Sequence, residues 1–576
     1  MGLPAQVDGN RSIVSGVPLA LEPGMGALTI PGYLREVAAR YGEREAVVLP
    51  RDHDAVRWTY DDLLAQSTAV ARALVACGVE RDTRVGILMT NRPEYLAALF
   101  GTAMAGGISV ALSTFSTAPE LEHLLAASDV AVLLFERTVL NKDFTAVLAA
   151  LEPGIADAAP GEVASERFRA LRYLVGLDGL TAAPDAAVQE PAAVESWADF
   201  LQRGAAVAAG EIEARADRVQ PTDPGGLFFS SGTTSLPKGI LHTQQAFAIQ
   251  WWRWPRVFCV REPARCWTGN GFFWSGNVTM VVGTALSTGG AVILQPLFDA
   301  EAALALIQAE QVTMLNGRPH QWARLKACAG WEQADLSSLH YVTKGEIVLE
   351  HPTVHSDWAM PNSFGTTETM TILSSIDADA TAEDYADSFG VPLPGNTLKV
   401  VNPATGAVVP VGERGEICIK GPTLMLGYTG VDASEVFDAE GYFHTGDGGY
   451  VDAAGRLYWE GRLNDIIKTG GANVSPEEVD TVIAALPGVK RTQTVGVPHE
   501  TLSEMVVACI VPVEGAQLEE GAIIACLKER LASYKVPRRV LFFDEADIAL
   551  TGNEKIKTAE LRKMAVQRLG ATQAEA

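Results

Sequence analysis

Apolar residues along the first part of the chain follow two different spacings, which predict alternating helices and strands. Helical spacing predicts three amphipathic helices: Tyr33–Tyr41, Asp61–Cys77 and Glu94–Ala105. Short continuous apolar runs predict three buried strands: Ala46–Leu49, Arg84–Met89 and Gly107–Ala111. Helices that alternate with strands are typical of α/β domains with largely parallel sheets. The segment Ala156–Glu195 is rich in Ala, Pro and acidic residues and is predicted to be a surface excursion.

The pattern changes after Gly390. Short strands and turns up to Tyr458 predict a β-rich subdomain, with strands over Leu398–Val401 and Gly415–Ile419. Beyond Arg462 a compact α+β unit is predicted, with helices and strands near Pro476–Leu486, Gly521–Ala532, Val489–Val497 and Met505–Val511. We therefore expect an α/β fold with a large N-terminal domain, residues 1–461, and a small α+β C-terminal domain, residues 462–576.

Length and composition indicate a globular protein of more than one domain. A chain of 576 residues exceeds one ordinary hydrophobic core, and 48% hydrophobic with 20% charged residues is typical of folded proteins. The net charge of -25 argues against a nucleic-acid partner, because phosphate backbones require a basic surface. A locally positive cleft could still bind a nucleotide. Seven scattered cysteines without a CxxC pair indicate reduced thiols and a cytoplasmic location.

The hydrophobic profile argues against stable membrane insertion. The most apolar long segment, Val278–Leu294, is interrupted by threonine, serine and glycine residues, whereas a membrane span needs roughly 20 mostly apolar residues. A buried helix leading into a strand is the better interpretation. The first residues of the chain lack the apolar region of a secretory signal.

The segment Phe228–Gly239, with the sequence FFSSGTTSLPKG, joins a buried strand to a hydroxyl-rich loop. Serine and threonine hydroxyls, backbone N–H groups and a lysine are suited to bind a polyphosphate. The loop differs from a Walker A sequence, because Lys238 follows a proline and precedes a glycine. Such turns near a lysine are also common by chance, so the interpretation depends on the other motifs of the chain.

Five further motifs follow in order along the chain. They are NSFGTTE at Asn362–Glu368, YFHTGD at Tyr442–Asp447, GRLNDIIK at Gly461–Lys468, GGANVSPEEV at Gly470–Val479 and LTGNEKIK at Leu550–Lys557. Each alone is weakly informative. Together, and in this order, they closely resemble the adenylate-forming superfamily of acyl-CoA synthetases, nonribosomal adenylation domains and firefly luciferase. The resemblance covers nearly the whole chain and favours the acyl- or aryl-CoA ligase branch.

The resemblance implies a reaction in two halves. A carboxylate attacks the α-phosphate of Mg-ATP to give an acyl-adenylate and pyrophosphate, and the thiol of CoA then displaces AMP to form a thioester. This chemistry requires cations and N–H donors placed in advance, because negative charge builds up where two anions meet. The expected ligands are ATP, Mg²⁺, CoA and a small-molecule carboxylic acid. A homodimer is left open.

The matching motifs imply roles for individual residues in nucleotide binding. Residues expected to contact the phosphates or the nucleoside are Ser230, Ser231, Gly232, Thr233, Thr234, Lys238, Phe364, Gly365, Thr366, Thr367, Asp447 and Arg462. Phe364 would lie against adenine. Asp447 would accept hydrogen bonds from the ribose hydroxyls, with Arg462 beside it. Glu368 and Thr233 would hold Mg²⁺, which prefers hard oxygen ligands.

Members of the family rotate the small C-terminal domain between the half-reactions, so a mobile domain is expected here. Lys555 matches the catalytic lysine that bridges the carboxylate and the α-phosphate during adenylation. Gly471 matches the glycine beside which the pantetheine arm passes, where a side chain would block the way. Lys468 matches a catalytic position brought to the site in this second pose. The hinge position is Asn464, where the family usually has Asp or Lys.

Two more departures from the family pattern concern the ends of the site. Asn553 and Glu554 stand before Lys555 in place of the common pair of a small residue and glycine, so an acid adjoins the expected catalytic lysine. The loop on the adenine side, usually Gly-Gly, reads Lys344-Gly345-Glu346.

The family builds its acyl pocket between the phosphate loop and the Phe364 motif. Candidate pocket residues are Phe273, Trp274, Asn277 and Gly345, approached by Trp251, Trp252 and Trp254. Amino-acid-activating relatives place an Asp near Phe272–Ser275 to pair the ammonium group, and no acid lies there. Burying that ammonium unpaired would cost several kcal/mol, so an amino-acid substrate is disfavoured. The aromatic side chains fit a fatty or an aryl acid, and core packing is an equally good interpretation of each one.

The leading hypothesis is an ATP-dependent carboxylate–CoA ligase. The alternative is an acyl-AMP ligase that loads a separate carrier protein. A luciferase-like monooxygenase would share the fold and Lys468, but the chain ends in Ala-Glu-Ala, unlike the peroxisomal tripeptide typical of such proteins. A non-enzymatic nucleotide-binding scaffold would be expected to lack Lys555 or Glu368, and both are present.

Overall fold

The architecture was analysed in a computed structural model of the protein. It describes residues 5–50, 55–180, 191–230, 237–343, 346–376, 388–463, 467–544 and 558–574. The side chains of Ser230 and Arg462 lie outside this description, although their backbones belong to strands.

The described residues contain helices throughout the chain. The α-helices are α1 Ile30–Tyr41, α2 Tyr60–Ala76, α3 Pro93–Ala105, α4 Ala118–Ser128, α5 Phe144–Leu151, α6 Trp197–Arg203, α7 Ala209–Arg218, α8 Gln244–Val257, α9 Ser275–Asn277, α10 Gly283–Ser287, α11 Ala300–Ala309, α12 Pro319–Lys326, α13 Ala433–Val436, α14 Pro476–Ala484, α15 Glu520–Lys528 and α16 Thr558–Ala574. A π-helical turn, Val278–Val282, joins α9 to α10, and a short 3₁₀ turn covers Thr367–Thr369.

The strands are numbered in the same way. They are β1 Gln6–Val7, β2 Ile13–Ser15, β3 Glu45–Leu49, β4 Val56–Thr59, β5 Arg84–Leu88, β6 Ile108–Ala111, β7 Val130–Glu136, β8 Thr138–Val139, β9 Lys142–Asp143, β10 Tyr173–Leu177, β11 Val194–Ser196, β12 Pro224–Ser230, β13 Lys238–Thr243, β14 Arg265–Thr268, β15 Ala291–Ile293, β16 Met314–Asn316, β17 Ser363–Phe364, β18 Ser374–Ser375, β19 Val391–Pro392, β20 Thr397–Val401, β21 Gly415–Lys420, β22 Gly427–Tyr428, β23 Phe443–Val451, β24 Leu457–Arg462, β25 Ile467–Thr469, β26 Ala472–Val474, β27 Val489–His499, β28 Ser503–Pro512 and β29 Arg539–Phe542.

Two mixed sheets form the frame of the N-terminal domain. The larger has the strand order β11-β10-β7-β5-β6-β12-β13-β22, and its strands from β11 to β12 run parallel to their neighbours. The second sheet has the order β16-β14-β15-β3-β4. Between the two sheets lies the main hydrophobic cluster, to which α2 and α3 contribute most of their buried residues and α8 contributes half. The alternating helices and strands predicted from the apolar spacing are therefore present, as α1 to α3 and β3, β5 and β6.

The prediction of a surface excursion over Ala156–Glu195 was wrong for part of the segment. β10 pairs in parallel with both β7 and β11, and Leu174 and Val175 are buried. This strand is short and lies in an Ala- and Pro-rich part of the sequence, so the composition of the segment gives no sign that β10 is an interior strand of the sheet. Residues 181–190 lie outside the described part of the chain.

A β-rich subdomain follows, as predicted. Its antiparallel sheet has the order β1-β2-β20-β21-β23-β24, so the first two strands of the chain complete a sheet formed mainly by residues 397–462. The small sheet β17-β18-β19 lies next to it in sequence and presents the turn that begins at Thr367.

The C-terminal unit is α+β, with the strand order β26-β25-β28-β27 and β29 parallel to β28. Its core is formed by apolar residues of β25, β28, α14 and α15, among them Ile467, Val479, Ile510 and Leu527. Family and fold comparisons described below confirm the α/β class with a large and a small domain. The predicted boundary at 461–462 falls at the end of β24 and stays a prediction. Within the described residues, every helix is too short or too polar to cross a bilayer.

Candidate active site

A cleft of about 430 Å³ lies where the two domains meet. The N-terminal domain lines it with aromatic and polar side chains, including Phe273, Trp274, Arg318, Glu346, Trp358 and Thr366. The C-terminal domain contributes Gly471, Ala532, Tyr534 and Lys535. This volume is within the range of small-molecule sites, and the mixture of aromatic walls with a few polar groups is typical of them.

The predicted phosphate loop lies at the tip of an antiparallel hairpin. β12 pairs with β13 so that Ser230 is opposite Lys238, and the loop between them, residues 231–236, lies outside the described part of the chain. The Lys238 ammonium stands 5.1 Å from the ring centroid of Tyr428. Since β13 also pairs with β22, the lysine and the tyrosine are held on neighbouring strands.

Tyr428 links this lysine to the predicted magnesium ligand. Its hydroxyl donates a hydrogen bond of 2.8 Å to Oε1 of Glu368, and the backbone N–H of Met425 donates to the carbonyl of Glu368 at 2.8 Å. Sequence reasoning missed Tyr428, because it lies in a segment without a recognised motif. The structure thus brings Lys238 and Glu368 together through one aromatic residue.

The turn before Glu368 faces the cleft. Gly365, Thr366 and Thr367 line it, and Oγ1 of Thr366 is buried without a hydrogen-bond partner among the described residues. A buried hydroxyl without a partner costs free energy unless a ligand supplies one. Glycine is required at position 365, because a Cβ there would lie 1.6 Å from the carbonyl oxygen of Thr371.

Phe364 occupies a different environment from its neighbours. It is buried in the hydrophobic cluster of the β-rich subdomain with Ile240 and Leu373, and it is absent from the described cleft lining. Its expected contact with adenine stays a prediction of the family resemblance.

Asp447 and Lys468 are connected through Trp459. Asp447 is buried and accepts a hydrogen bond of 3.1 Å from the Trp459 indole N–H, while the Lys468 ammonium lies 3.8 Å from the Trp459 ring centroid. The backbone of Arg462 is directly opposite Asp447 in the β23–β24 pair. Trp459 was not predicted from the sequence, although its place two residues before the Gly461–Lys468 motif could have indicated it.

Gly471 lies against Arg318 of the N-terminal domain, and its expected role beside the pantetheine arm stays a prediction. Its φ of +85° favours glycine, and a Cβ on it would lie 2.1 Å from Nε of Arg318. On the same wall, the ring of Tyr534 is 5.5 Å from that of Trp274, centroid to centroid. Gly471 and Tyr534 therefore close the cleft from the C-terminal side.

A buried group of charges fastens the two domains in this arrangement. Lys535, almost fully buried, forms ion pairs with Glu478 at 2.8 Å and with Glu120 at 3.4 Å. Glu120 belongs to the N-terminal domain, and its Oε1 also accepts the backbone N–H of Ala532 at 2.7 Å. Burial alone would lower the pKa of Lys535, but the charges of Tyr534, Glu478 and Glu120 raise it above its usual range.

The position of Glu120 follows from the local sequence of α4. Thr117 and Glu120 form a capping box, in which the carboxylate Oε2 accepts the Thr117 backbone N–H at 2.9 Å. One oxygen is thus used to begin the helix, and the other is directed at the C-terminal domain. Sequence reasoning did not find this contact, because it joins residues more than 400 positions apart.

The structure brings three of the candidate acyl-pocket residues together, and their role in binding the acid stays a prediction. Phe273, Trp274 and Asn277 all line the cleft, and the Asn277 amide donates to the carbonyl of Gly271 at 3.0 Å. The tryptophans of α8 are elsewhere. Trp251, Trp252 and Trp254 are buried in the main core, where their indole N–H groups bond to Val278, Ala27 and Thr371. Core packing is the correct interpretation for these three residues.

Seven predicted site residues lie outside the described part of the chain: Ser231, Gly232, Thr233, Thr234, Gly345, Asn464 and Lys555. Their roles stay predictions.

Glu346 was named in the sequence only as part of an irregular loop, yet it lines the cleft, and burial raises its pKa to about 6. The folded protein favours its protonated form. We therefore expect the folded state to lose stability as the pH rises from 4.5, the ordinary value, to about 6. The loss is at most about 2 kcal/mol before solvent screening.

Thermal unfolding of the wild type and of Glu346→Gln between pH 4.5 and 7 tests this expectation. The variant should become more stable relative to the wild type as the pH rises. Glu350→Gln is the matched control, since Glu350 ends the same short turn but is exposed and paired with Lys326. If the difference in unfolding free energy between Glu346→Gln and the wild type did not change with pH, the raised pKa of Glu346 in the folded state would be contradicted.

Comparison with known proteins identifies the class of the site. The chain matches the AMP-binding enzyme family over residues 34–429 and the AMP-binding enzyme C-terminal domain over residues 478–555. The first match alone spans more than half of the chain. The protein belongs to the AMP-binding enzyme family, that is, to the adenylate-forming enzymes.

Its relatives specify the branch. An indoleacetate–CoA ligase from Aromatoleum aromaticum is 31% identical over 518 residues, which cover 88% of this chain and 94% of the relative. A feruloyl-CoA synthase from Amycolatopsis is 31% identical over 525 residues, covering 89% and 94%. The sequence-based identification as an AMP-forming acid–thiol ligase, with ATP and CoA as substrates, is confirmed.

Among solved structures, an amide bond synthetase from Marinactinospora thermotolerans has the same fold. The TM-score is 0.71 at 24% sequence identity, and the match covers 92% of this chain and 99% of that one. At this identity the likeness concerns the fold alone.

Proposed function

We propose that the protein activates an aryl or arylalkyl carboxylic acid as its adenylate and transfers the acyl group to CoA. The observation that carries the proposal is the aromatic wall of the cleft. Phe273, Trp274 and Tyr534 form a continuous series, with ring centroids 5.9 Å and 5.5 Å apart. Offset and edge contacts with such a wall suit a planar ring.

The rest of the cleft agrees with an acid of this class. Phe258, Met280, Met314 and Trp358 add apolar surface, and flexible methionine side chains adapt to irregular shapes. Two related enzymes act on indoleacetate and ferulate, which combine an aromatic ring with a carboxylate. Fatty acids remain the second class to be tested.

The chemistry of the site residues fits activation of the acid at a polyphosphate. Thr366 lines the cleft, and its buried hydroxyl has no hydrogen-bond partner among the described residues. Lys238 offers a cation next to Tyr428. Glu368 uses only Oε1 in the bond from Tyr428, so Oε2 is available to a cation within the described surroundings. Together with Thr233 it would hold Mg²⁺, which neutralises phosphate charge. Asp447 would bind the ribose, and Lys555 would bridge the carboxylate and the α-phosphate.

We further propose that this domain arrangement is the one that forms the thioester. Gly471, the residue expected beside the pantetheine arm, lines the cleft, and Lys468 contacts the N-terminal domain at Trp459. Adenylation would use the other pose. In that pose the C-terminal domain would be rotated, so that Lys555 enters the active site and the face with Gly471 and Lys468 leaves it. We also propose a domain boundary at 461–462 with a hinge at Asn464. A cytoplasmic location and a homodimer are proposed as well.

The ion pair between Glu120 and Lys535 should favour the thioester-forming pose. We expect Glu120→Gln to slow thioester formation about fivefold and to change adenylation by less than twofold. A lost interdomain charge contact is worth about 1 kcal/mol, and it stabilises one pose only. Glutamine still satisfies the capping box, so α4 should be retained.

The two half-reactions of the variant can be measured separately. Pyrophosphate release reports adenylation, and the formation of acyl-CoA from supplied acyl-AMP and CoA reports the thioester step. Glu122→Gln, on the same helix but paired with Arg167 within the N-terminal domain, is the control. An equal loss in the two half-reactions of Glu120→Gln would refute a pose-specific role.

A screen of pyrophosphate release tests the proposed function itself. Aryl, arylalkyl, fatty and amino acids are offered with ATP, with and without CoA, and the products are identified by mass. We expect release with aryl or arylalkyl acids and a CoA thioester as product. Release with amino acids alone would contradict the pocket assignment. An adenylate that is transferred only to a carrier protein would contradict the acceptor.

A further inference from the structure

A cysteine, a histidine and a carboxylate meet on one face of the sheet in the β-rich subdomain. Cys418 of β21 lies directly opposite His444 of β23. Glu416 stands two residues before Cys418 on the same strand, so the two side chains share a face. Ile417 between them is buried in the hydrophobic cluster of the subdomain. We call Glu416, Cys418 and His444 the Cys–His–Glu cluster.

The side chains of the Cys–His–Glu cluster converge on one ring nitrogen. Nδ1 of His444 lies 2.9 Å from Oε2 of Glu416 and 3.4 Å from Sγ of Cys418. All three atoms lie within 4.8 Å of one another. A tetrahedral Zn²⁺ ion with ordinary bond lengths holds a sulfur and a nitrogen ligand about 3.5 Å apart. The spacing of the three atoms therefore suits a metal ion after a small opening of the contact between Glu416 and His444.

Hydrogen bonds within the Cys–His–Glu cluster satisfy only two of its three groups at a time. Nδ1 has a single in-plane position, which holds either a proton or a lone pair. With a proton, Nδ1 donates to Glu416 and accepts nothing from the Cys418 thiol. With a lone pair, it accepts from the thiol but faces the negative charge of the carboxylate. A cation between the three atoms takes the place of the proton and attracts all of them.

Neighbouring groups hold these side chains as the outer groups of metal sites do. Oε1 of Glu416 accepts the backbone N–H of Gly446 at 3.1 Å, while Oε2 is directed at the histidine. Nε2 of His444 lies 3.9 Å from Oδ2 of Asp438, and a carboxylate behind the second ring nitrogen is typical of histidines that bind metals. Cys418 is buried, whereas the His444 side chain is 40% exposed. A cation would therefore enter from the histidine side, where water would supply a fourth ligand.

The charges around the Cys–His–Glu cluster are compatible with a divalent cation. The nearby ammonium group of Lys399 is already paired, with Asp438 at 2.6 Å and with Glu440 at 2.7 Å. The Cys418 thiolate and the Glu416 carboxylate would together supply two negative charges, which one divalent ion balances.

We propose that the Cys–His–Glu cluster is a binding site for a divalent cation of the Zn²⁺ class. Zinc binds thiolate, imidazole and carboxylate ligands, whereas Mg²⁺ prefers oxygen ligands alone. The site thus differs in chemistry from the magnesium site expected at Glu368 and Thr233. On binding, the metal–sulfur bond replaces the S–H bond of Cys418, and the proton passes to solvent.

Cobalt titration of the full-length protein, freed of metals by chelation, tests the site. A bond between Co²⁺ and a thiolate gives a charge-transfer absorption band in the near ultraviolet, which a hydrogen-bonded thiol lacks. We expect this band in the wild type and its loss in Cys418→Ser. His444→Ala should raise the dissociation constant for Zn²⁺, measured by calorimetry, at least about tenfold. His444 is partly exposed, so this variant keeps the test decisive if Cys418→Ser fails to fold.

Two matched variants serve as controls. Cys526→Ser removes another partly buried thiol. His340→Ala removes a histidine whose Nδ1 also contacts a carboxylate, that of Glu262 at 2.8 Å, on another part of the surface. Both variants should keep the cobalt band and the Zn²⁺ affinity of the wild type.

The outcomes decide between a metal site and a hydrogen-bonded group. A wild type without the charge-transfer band would overturn the inference. A band that persists in Cys418→Ser, or an equal loss of Zn²⁺ affinity in His340→Ala and His444→Ala, would place the metal elsewhere and overturn it too. Displacement of Co²⁺ by excess Mg²⁺ would contradict the assigned metal class. The titration contains neither the acid nor ATP, so a failed pyrophosphate-release screen would overturn only the proposed function.

Discussion

Replacement of Lys555 by alanine should reduce adenylate formation by about 100-fold or more. Because Lys555 matches the family's bridging lysine, we propose that its ammonium group acts between the carboxylate and the α-phosphate. Removing one preorganised charge-stabilising group typically costs two to three orders of magnitude. Since the proposed role of Lys555 concerns only the first half-reaction, thioester formation from supplied acyl-AMP should fall less than threefold. Pyrophosphate release and thioester formation, measured on the same preparation, check both halves.

Lys557→Ala is the matched control, because it removes the same charge two residues away. It should leave both half-reactions within twofold of the wild type. If Lys555→Ala impaired the two half-reactions equally, the residue would act through folding or domain position, and its assignment to the α-phosphate would be wrong.

Replacement of Gly471 by leucine should have the opposite selectivity. The side chain would meet Arg318, since even a Cβ lies 2.1 Å from its Nε, and the φ of +85° is unfavourable for leucine. We expect thioester formation with CoA to fall about 100-fold, equivalent to about 2.7 kcal/mol in the barrier. Adenylation should change less than threefold, because this face of the C-terminal domain is proposed to leave the site for that step.

Two milder variants separate steric block from strain. Gly470→Ala adds a Cβ to the same turn, but its nearest neighbour would be Leu502 at 3.5 Å, an ordinary contact. Its thioester formation should stay within threefold of the wild type. Gly471→Ala combined with Arg318→Ala should be less impaired than Gly471→Ala alone, because the colliding guanidinium is gone. A double variant no better than the single one would show that backbone strain, and not the contact with Arg318, limits the step.

Much of the fold could be predicted from local sequence. The helical spacing of Asp61–Cys77 corresponds to α2, whose capping box of Thr59 and Asp62 sets its first turn. Apolar runs such as Arg84–Met89 became central strands, because a strand buried on both faces needs apolar residues throughout. β10 was missed because its apolar run is short and the sequence around it is rich in alanine and proline, a composition typical of loops.

The sequence by itself determined the family and the motif residues, because these are recognised from residue types at short spacings within single loops. The two half-reactions follow from membership of the family. Only the tertiary structure decided which side chains stand together: Tyr428 between Lys238 and Glu368, Trp459 between Asp447 and Lys468, and Arg318 on Gly471. Each of these contacts joins segments that are distant along the chain or lie on different strands. Local spacing carries no information about such contacts, since sheet pairing and domain docking create them.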